Sequence, residues 1–252
     1  MGNLAISTAL ITGGGTGVGA VMARMLADAG VKVAVSGRRA EMLAEVAKHP
    51  NITAIPADVT DEASVRAMFG TFCDVIGAPD LVIANAGMAE SAPFGKTSID
   101  LWKRTMDVNL TGTFLTFREG LNVMERAKPG RLISIASTAG LKGYAYVTAY
   151  CAAKHAVIGL VKSLATELAS TPITVNAVCP GFMETPMLEQ SVANIVAKTG
   201  MSTEDARASL AKINPQNRLI QPEEVAETVM WLASSQAASI TGQAISVSGG
   251  EI

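Results

Sequence analysis

Residues 5–19 of this chain read Ala5-Ile6-Ser7-Thr8-Ala9-Leu10-Ile11-Thr12-Gly13-Gly14-Gly15-Thr16-Gly17-Val18-Gly19. The apolar, β-branched residues 5–11 predict a buried strand, and the helix-forming residues 20–29 predict a helix directly after the glycines. Glycines let the backbone approach a phosphate closely, and the first turn of a helix presents free N–H groups and a positive dipole end. A glycine cluster alone would also fit a tight turn, but its position between a strand and a helix favours a phosphate site.

The rest of the chain repeats this alternation of strand and helix. Apolar runs predict six further strands, at residues 31–36, 52–56, 81–84, 131–136, 173–179 and 244–247. Helices are predicted at residues 40–48, 61–76, 99–127, 149–169 and 222–233. This order predicts an α/β fold of the Rossmann type, a doubly wound seven-stranded parallel sheet with helices on both faces. We expect one domain over residues 1–252, with a Met-rich substrate lid at about 183–220.

Charge and hydropathy exclude several classes of partner. The net charge is −2 and only 17% of the residues are charged, so neither a nucleic acid nor a membrane surface is expected as a partner. No apolar run reaches the roughly 18 residues that span a bilayer. Residues 1–11 lack the basic segment of a signal peptide, so we expect none.

Cysteine and histidine usage indicates a reducing compartment and no metal site. Cys73, Cys151 and Cys179 are scattered and form no Cys-x-x-Cys motif, which predicts reduced thiols and a cytoplasmic location. The two histidines, His49 and His155, lie far apart in sequence, and an ordinary structural or surface role is favoured for both.

The end of the second predicted strand selects the cofactor. An acid at this position accepts hydrogen bonds from a ribose 2′-hydroxyl, whereas an arginine pairs with a 2′-phosphate. Gly37 occupies the position of the acid, and Arg38 and Arg39 follow it, which favours NADP over NAD. Alternatively, the arginines are solvated residues that open the next helix. Thr16, beside the glycines, adds no second positive charge.

Two other strand ends place polar residues at the same edge of the sheet, where the ligands of such sheets bind. Asp58, followed by Val59, could accept a hydrogen bond from an adenine amino group, or it could cap the helix after it. The segment Asn85-Ala86-Gly87 follows the fourth strand. It could contact the cofactor directly, or it could complete the hydrogen bonds of the strand end.

Tyr150 and Lys154 lie four residues apart on a predicted helix and therefore share a face. A cation about 4 Å from a phenolate contributes roughly 4 kcal/mol at an effective dielectric of about 20, so Lys154 is expected to lower the pKa of Tyr150. Ser137 ends the fifth strand, thirteen residues before Tyr150. Asn109 lies inside a predicted helix and is followed by Gly112; such poor helix formers often mark a site or a kink.

Together these residues resemble the short-chain dehydrogenase/reductase family over essentially the whole chain. The matching motifs are Thr12-Gly13-x-x-x-Gly17-x-Gly19, Asn85-Ala86-Gly87, Asn109, Ser137, Tyr150-x-x-x-Lys154 and Pro180-Gly181. The resemblance implies a homotetramer and four catalytic residues, in which Tyr150 exchanges a proton with the substrate oxygen and Ser137 orients that oxygen. It also implies that Lys154 binds the nicotinamide ribose and that Asn109 holds a water of a proton relay.

The family pattern also implies which residues hold the cofactor. Pro180, Gly181 and Phe182 are expected beside the nicotinamide, with Thr185 near its carboxamide. The complete expected set is Gly13, Thr16, Gly17, Val18, Gly19, Arg38, Arg39, Asp58, Val59, Asn85, Ala86, Gly87, Tyr150, Lys154, Pro180, Gly181, Phe182 and Thr185.

Within this family the chain looks most like β-ketoacyl reductases and aromatic polyketide ketoreductases, on residues 135–138 and 176–182. The resemblance implies NADPH-dependent reduction of a 3-oxoacyl thioester or a related ketone. The alternatives are an NAD-dependent dehydrogenase of a secondary alcohol or a 3-hydroxyacyl-CoA, and a non-catalytic NADP sensor. Relatives that dock a carrier protein have basic residues at two positions. Lys128 fits the first, but Thr171 stands where the second has arginine, which favours a CoA thioester or a free ketone.

Overall fold

The computed structural model describes residues 4–252. The expected absence of a signal peptide falls partly on residues 1–3, which lie outside the described residues. Within the described chain, seven strands form one parallel sheet in the order β3-β2-β1-β4-β5-β6-β7. The strands are β1 (Thr8–Thr12), β2 (Lys32–Gly37), β3 (Ile52–Pro56), β4 (Leu81–Ala84), β5 (Gly130–Ile135), β6 (Ile173–Pro180) and β7 (Ala244–Val247). The predicted α/β architecture is therefore confirmed.

Helices connect successive strands and cover both faces of the sheet. They are α1 (Gly17–Asp28), α2 (Ala40–Val46), α3 (Glu62–Val75), α4 (Ile99–Met106), α5 (Gly112–Val123), α6 (Thr148–Glu167), α7 (Pro186–Thr199), α8 (Thr203–Ala211) and α9 (Pro222–Leu232). Alternate residues of β1 enter different layers. Ala9 and Ile11 belong to the core that includes α1 and α9, and Leu10 belongs to the core that includes α3, α5 and α6. Strands buried on both faces need continuous apolar runs, which is why the sequence shows them.

The sheet order reverses at β1. The chain runs outward from β1 to β2 and β3, and then returns to place β4 on the other side of β1. In open parallel sheets, ligands bind outside the carboxyl ends of the strands at such a reversal. The turns after β1 and β4 therefore lie where a ligand site is expected.

The first predicted strand began too early. It was expected from residue 5 but starts at Thr8. Before that residue, the Ala5 backbone N–H donates to the Ala233 carbonyl, and Leu4 forms a bridge with Ser234. The chain therefore follows the end of α9 instead of extending the sheet.

The single helix predicted at residues 99–127 was also wrong. A π-helical turn, Asp107–Thr111, separates α4 from α5, and α5 ends at Val123. Gly112 follows this turn, and a Cβ at that position would lie 2.8 Å from Val59 Cγ2, so the close approach requires glycine. Met124 is extended and buried, which ends the helix before residue 127.

Residues 183–220, expected to be a lid, contain α7 and α8. These helices have an apolar cluster of their own, formed by Leu188, Val192, Ala206, Leu210 and Leu219. The two ends of the segment meet, because the Glu184 N–H donates to the Ile220 carbonyl and the Ile220 N–H donates to the Phe182 carbonyl. A separately packed unit with joined ends is suited to move as one body, and its role as a lid remains a prediction.

Two further features concern residues 4–252. No helix in that range is long and apolar enough to cross a membrane. Over the same residues, His, Cys, Asp and Glu side chains form no group of three or more that could hold a metal ion.

Candidate active site

A cleft of about 920 Å³ runs along the carboxyl edge of the sheet. Every residue of the expected cofactor set lines it except Gly19, and Ser137 lines it as well. Gly19 and Asn109 are buried and do not line the cleft. The strand ends named from the sequence therefore converge on one concave surface, large enough for a dinucleotide and a small substrate.

The glycine turn is shaped for close contact with a ligand. Gly13 has a φ of 64°, and a Cβ there would lie 2.9 Å from the Ala86 Cα. A Cβ at Gly19 would lie 2.3 Å from the Gly13 carbonyl oxygen, so Gly19 packs α1 against the turn. Thr16, the residue before α1, makes no side-chain cap hydrogen bond, and the first turn of α1 has no acidic residue. The N–H groups in the first turn of α1 are therefore available to an anion, such as the diphosphate of a dinucleotide.

The two arginines after β2 both line the cleft and are exposed. The Arg39 Nη2 donates to the Thr16 hydroxyl oxygen at 3.2 Å, which brings its guanidinium to the glycine turn. Thr16 itself adds no positive charge, as expected, but its hydroxyl binds the Arg39 guanidinium and so places a charge beside the glycine turn. Together Arg38 and Arg39 offer two cations at the position that a 2′-phosphate requires.

Asp58 does not cap the helix that follows it. Its Oδ1 accepts from the Thr60 N–H at 2.9 Å and from the Thr60 hydroxyl at 2.8 Å, whereas Asp61 caps α3 by accepting from Ala63. The expectation that Asp58 caps the helix was therefore wrong. Asp58 closes the turn that precedes the helix, and the cap is Asp61, three residues later. The Thr60 N–H lowers the pKa of Asp58, with further help from the Thr60 hydroxyl and Arg38. An ionised acceptor thus faces the cleft.

Asn85 completes the hydrogen bonds of the strand end and also lines the cleft. Its amide Nδ2 donates to the Thr12 carbonyl at 2.9 Å and to the Gly13 carbonyl at 3.0 Å. Its backbone N–H donates to the Thr12 hydroxyl at 3.1 Å. Asn85 therefore fixes the glycine turn against β4, so the two alternatives left open by the sequence are compatible.

Ser137 and Tyr150 come together at the end of β5. Ser137 lies two residues after the end of the strand, and its Oγ accepts from the Ala139 N–H at 3.1 Å. Tyr150 lies in the first turn of α6, and its hydroxyl is hydrogen-bonded to Ser137. Two hydroxyl groups that face one space can both reach the oxygen of a bound carbonyl.

Lys154 lies one turn after Tyr150, with its Nζ 5.6 Å from the centre of the tyrosine ring. The expected lowering of the tyrosine pKa was wrong for this structure. Burial raises the pKa of Tyr150 to about 12, against a smaller lowering by the hydrogen bond to Ser137. Burial also lowers the pKa of Lys154 to about 8. For both side chains desolvation is the largest effect on the pKa. The Lys154 Nζ also donates to the Ile135 carbonyl at 2.9 Å.

Asn109 is fully buried in the π-helical turn. Its Nδ2 donates to the Met88 and Thr105 carbonyls, both at 2.9 Å, and its Oδ1 accepts from the Met88 N–H at 3.3 Å. A Cβ at Gly87 would lie 3.0 Å from the Asn109 Oδ1 and 3.8 Å from the Lys154 Nζ. The asparagine, Gly87 and the lysine are therefore neighbours, as a relay between them requires.

Several lining residues were not predicted. Val108 enters the cleft from the π-helical turn, and Met42 and Leu43 of α2 line its other end. A hydrogen bond that was not predicted either joins the Tyr144 hydroxyl, in the loop after β5, to the carboxylate of Glu251. No spacing rule connects residues so far apart in sequence, so only the fold shows this contact.

Comparison with known proteins identifies the family. A family model described as enoyl-(acyl carrier protein) reductase matches residues 13–251. The chain is 37% identical to a putative ketoacyl reductase of the granaticin polyketide synthase of Streptomyces violaceoruber, over 99% of this chain and 94% of that protein. It is 34% identical to the D-beta-hydroxybutyrate dehydrogenase of Rhizobium meliloti, over 96% of this chain and 97% of that protein.

A solved structure agrees with these relatives. The crystal structure of a point variant of actinorhodin polyketide ketoreductase with NADPH superimposes with a TM-score of 0.94 at 35% identity, covering 100% of this chain and 99% of that one. The resemblance drawn from the motifs is thus confirmed. The chain belongs to the short-chain dehydrogenase/reductase family and is an NAD(P)-dependent oxidoreductase that acts on carbonyl and CH–OH groups.

Proposed function

We propose that this protein catalyses the NADPH-dependent reduction of the ketone in a 3-oxoacyl thioester, or in a related ketone, to a secondary alcohol. The observation that carries this proposal is the hydrogen-bonded pair of Ser137 and Tyr150 at the cleft, with Lys154 one turn behind. Reduction converts a carbonyl oxygen into an alkoxide, which needs one group to protonate it and another to hold it in place. The two hydroxyls supply these functions.

The protonation state of Tyr150 favours reduction over oxidation. With a pKa of about 12, its phenol stays protonated at neutral pH and is ready to give its proton to the alkoxide. Ser137 donates a hydrogen bond to the same oxygen. Lys154, beside Tyr150, then supplies the replacement proton, and it regains a proton from solvent on the side where Asn109 and Gly87 lie.

The cofactor residues are assigned by the chemistry of their groups. The glycine turn and the N-terminus of α1 bind the diphosphate, and Asp58 with Val59 contacts the adenine. Arg38 and Arg39 bind the 2′-phosphate, which NADPH has and NADH lacks. Pro180, Gly181, Phe182 and Thr185 lie beside the nicotinamide, together with Tyr150 and Lys154. When bound, the cofactor supplies the hydride, which no side chain can carry.

Contacts around the predicted carrier-protein site favour a CoA thioester or a free ketone. The Lys128 ammonium pairs with Glu125 at 2.8 Å, so its charge is already partnered. The Thr171 hydroxyl donates to the Leu168 carbonyl at 2.8 Å and adds no charge at the second position. Reduction rates with acetoacetyl-CoA and with α-tetralone, a ketone that has no thioester, separate the two classes.

A second candidate is oxidation of a secondary alcohol or a 3-hydroxyacyl-CoA with NAD. The similarity to the D-beta-hydroxybutyrate dehydrogenase of Rhizobium meliloti favours it. The arginines after β2 and the protonated Tyr150 weigh against it. Oxidation of 3-hydroxybutyrate with NAD at a higher kcat/KM than acetoacetyl-CoA reduction with NADPH would establish this alternative.

A homotetramer in the cytoplasm completes the proposal. One face of α6 packs on the sheet, while His155, Gly159 and Lys162 lie on an exposed face, and a Cβ at Gly159 would meet no atom within 4 Å. The three cysteines are free, as a reducing compartment requires. Sedimentation at working concentration tests the assembly, and fractionation of producing cells tests the location.

Replacing Tyr150 with Phe tests the reaction itself. The change removes the proton donor and keeps the ring, so kcat for ketone reduction should fall by roughly 10²- to 10⁴-fold. NADPH affinity, measured by fluorescence, should stay within about threefold of the wild-type value. Survival of most of the activity in Tyr150→Phe would refute the assignment.

Replacing each arginine with Ala tests the cofactor preference. Loss of a charge-assisted pair with a 2′-phosphate costs about 1.5–3 kcal/mol, so the Kd for NADPH should rise by roughly 10- to 100-fold. The Kd for NADH should change little, because NADH has no phosphate there. If Arg38→Ala and Arg39→Ala weaken both cofactors equally, the arginines do not distinguish NADPH from NADH.

A further inference from the structure

A buried polar cluster joins the end of the chain to the loop after β5. The carboxylate of Glu251, whose side chain is 2% exposed, accepts a hydrogen bond from the Tyr144 hydroxyl through Oε1. The same oxygen pairs with the Lys142 ammonium at 2.8 Å. The Tyr144 hydroxyl also contacts the Thr138 Oγ1 at 2.6 Å. With the carboxylate accepting from Tyr144, the Thr138 hydroxyl donates to the tyrosine oxygen, so Thr138, Tyr144 and Glu251 form a directed chain.

This cluster touches the wall of the substrate site. Tyr144 and Thr138 both line the cleft, and Thr138 directly follows Ser137. The Tyr144 ring stands edge-on to the Phe182 ring, with centroids 5.9 Å apart and an interplanar angle of 89°. Burial, and then the hydrogen bond to Glu251, raise the pKa of Tyr144, so it remains a neutral donor.

The C-terminal turn is built to bring Glu251 to this place. Gly249 and Gly250 have φ values of 65° and 90°, a region that favours glycine, and they turn the chain back after β7. The second carboxylate oxygen, Oε2, then lies 3.1 Å from where a Cβ at Gly181 would be. Glu251 therefore contacts both loops of the reaction site, the one that bears Ser137 and the one expected beside the nicotinamide.

We propose that Glu251 is a positioning residue for ketone reduction, which holds Tyr144 and Thr138 in the substrate wall beside Ser137 and thereby sets the affinity for the ketone. The proposal rests on the reductase function proposed above. A buried carboxylate is costly unless it is paired, and here its partners are a wall residue of the cleft and Lys142. Without the carboxylate, the Tyr144 ring loses its anchor, and the wall that faces the substrate loosens.

A merely structural cluster would behave differently from a positioning one. If the cluster were merely structural, substitutions in it would lower thermal stability and would affect NADPH binding and turnover alike. If the cluster positions the wall of the cleft, substitutions in it should raise KM for the ketone. They should leave the Kd for NADPH unchanged, because the cofactor phosphates are held by residues at β1 and β2. Its members also act through one another, so their effects are not additive.

The test compares Glu251→Ala, Glu251→Gln, Tyr144→Phe and the double variant Tyr144→Phe/Glu251→Ala. Acetoacetyl N-acetylcysteamine and α-tetralone serve as ketones. Glu251→Ala should raise KM about tenfold with kcat within about threefold of wild type. Glu251→Gln, which keeps an acceptor for the phenol, should recover part of this loss even if the alanine variant is less stable. Glu125→Ala, which removes an exposed glutamate from a pair with lysine, is the matched control and should leave KM unchanged.

The outcomes separate this inference from the proposed function. In the Tyr144→Phe background, Glu251→Ala should cause no further rise in KM. Additive effects of the two changes, or an unchanged KM in both Glu251 variants, would overturn the positioning role while leaving the reductase intact. Failure of the wild-type protein to reduce any ketone with NADPH would refute the proposed function itself.

Discussion

Tyr150 and Lys154 show how burial controls the chemistry of individual residues. Spacing on a helix places the two side chains on one face, and Coulomb attraction alone would favour the phenolate. In the fold Lys154 is buried and Tyr150 is partly buried in the wall of the cleft, and desolvation penalises both charged forms. The neutral phenol that results is a proton donor, which suits a reductase. The ammonium of Lys154, by contrast, is held close to its titration point.

The lowered pKa of Lys154 predicts a pH dependence of reduction. Below about pH 8 Lys154 carries its charge, and above that value it becomes neutral. Because kcat/KM reports the pKa values of the free enzyme, kcat/KM for ketone reduction should fall as the pH rises above about 8. The measurement is a series of initial rates with acetoacetyl N-acetylcysteamine from about pH 6 to about pH 10.

A variant that stays charged provides the control for this titration. Lys154→Arg keeps a cation at every pH of the series, because the arginine pKa exceeds about 12. Because Lys154 is expected at the nicotinamide ribose, the wild-type affinity for NADPH should also fall above about pH 8. This dependence should disappear in Lys154→Arg, whatever the turnover of the variant. The same fall above about pH 8 in NADPH binding to wild type and Lys154→Arg would assign the titration to another group.

At the scale of elements, the unit formed by β1, the glycine turn and α1 is the most demanding part of the fold. The turn brings backbone against backbone at Gly13 and Gly19, where even a methyl group would overlap with neighbouring atoms. The π-helical turn at Asn109 is a second unit in which local geometry departs from the regular helix. Extra turns of this kind occur frequently at functional sites, and this one brings Asn109 to the neighbourhood of Lys154.

Two helical glycines provide a matched test of the tight turn. A Cβ at Gly19 would lie 2.3 Å from the Gly13 carbonyl oxygen, so Gly19→Ala should open the turn. We expect NADPH affinity to fall at least about tenfold and the free energy of unfolding to fall by roughly 1–3 kcal/mol. Gly70→Ala changes a glycine of α3 that is exposed and has no atom within 4 Å, and it should gain up to about 1 kcal/mol.

Cofactor titration and thermal unfolding of the two variants measure these effects. The comparison removes the general preference of helices for alanine, since both positions lie inside α-helices. Equal NADPH affinity in the two variants would show that the close approach at Gly19 is not needed for binding.

In the whole molecule, stability and chemistry reside at opposite edges of the sheet. Arg131 lies near the amino end of β5, whereas Ser137 follows its carboxyl end. The Arg131 side chain is only 2% exposed and donates to the Leu232 carbonyl at 3.1 Å, the Gly130 carbonyl at 2.9 Å and the Ser234 carbonyl at 3.2 Å. It thus joins the sheet to the end of α9, far from the cleft.

Removing this arginine should lower stability without altering the reaction. Arg131→Ala leaves buried carbonyl groups without donors, so the free energy of unfolding should fall by roughly 2–4 kcal/mol. Arg66→Ala, which breaks an exposed pair with Glu62 on α3, should cost less than about 1 kcal/mol. Denaturant unfolding measures both changes.

Activity distinguishes the two edges. The kcat of folded Arg131→Ala, assayed below its unfolding temperature, should equal that of the wild type. A fall in kcat that matches the loss of stability would mean that this edge of the sheet also supports the reaction site.

Sequence by itself determined the seven-stranded parallel sheet, the family and the convergence of Ser137, Tyr150 and Lys154. Apolar runs, glycine spacing and helical periodicity are local properties, and they can be read from the sequence without knowing which residues are in contact. Only the tertiary structure decided the pKa of Tyr150, the position of Arg39 against Thr16, the π-helical turn and the contact between Tyr144 and Glu251. The reason is physical: burial and hydrogen-bond partners depend on segments that are distant in the chain, and no local pattern records which of them will meet.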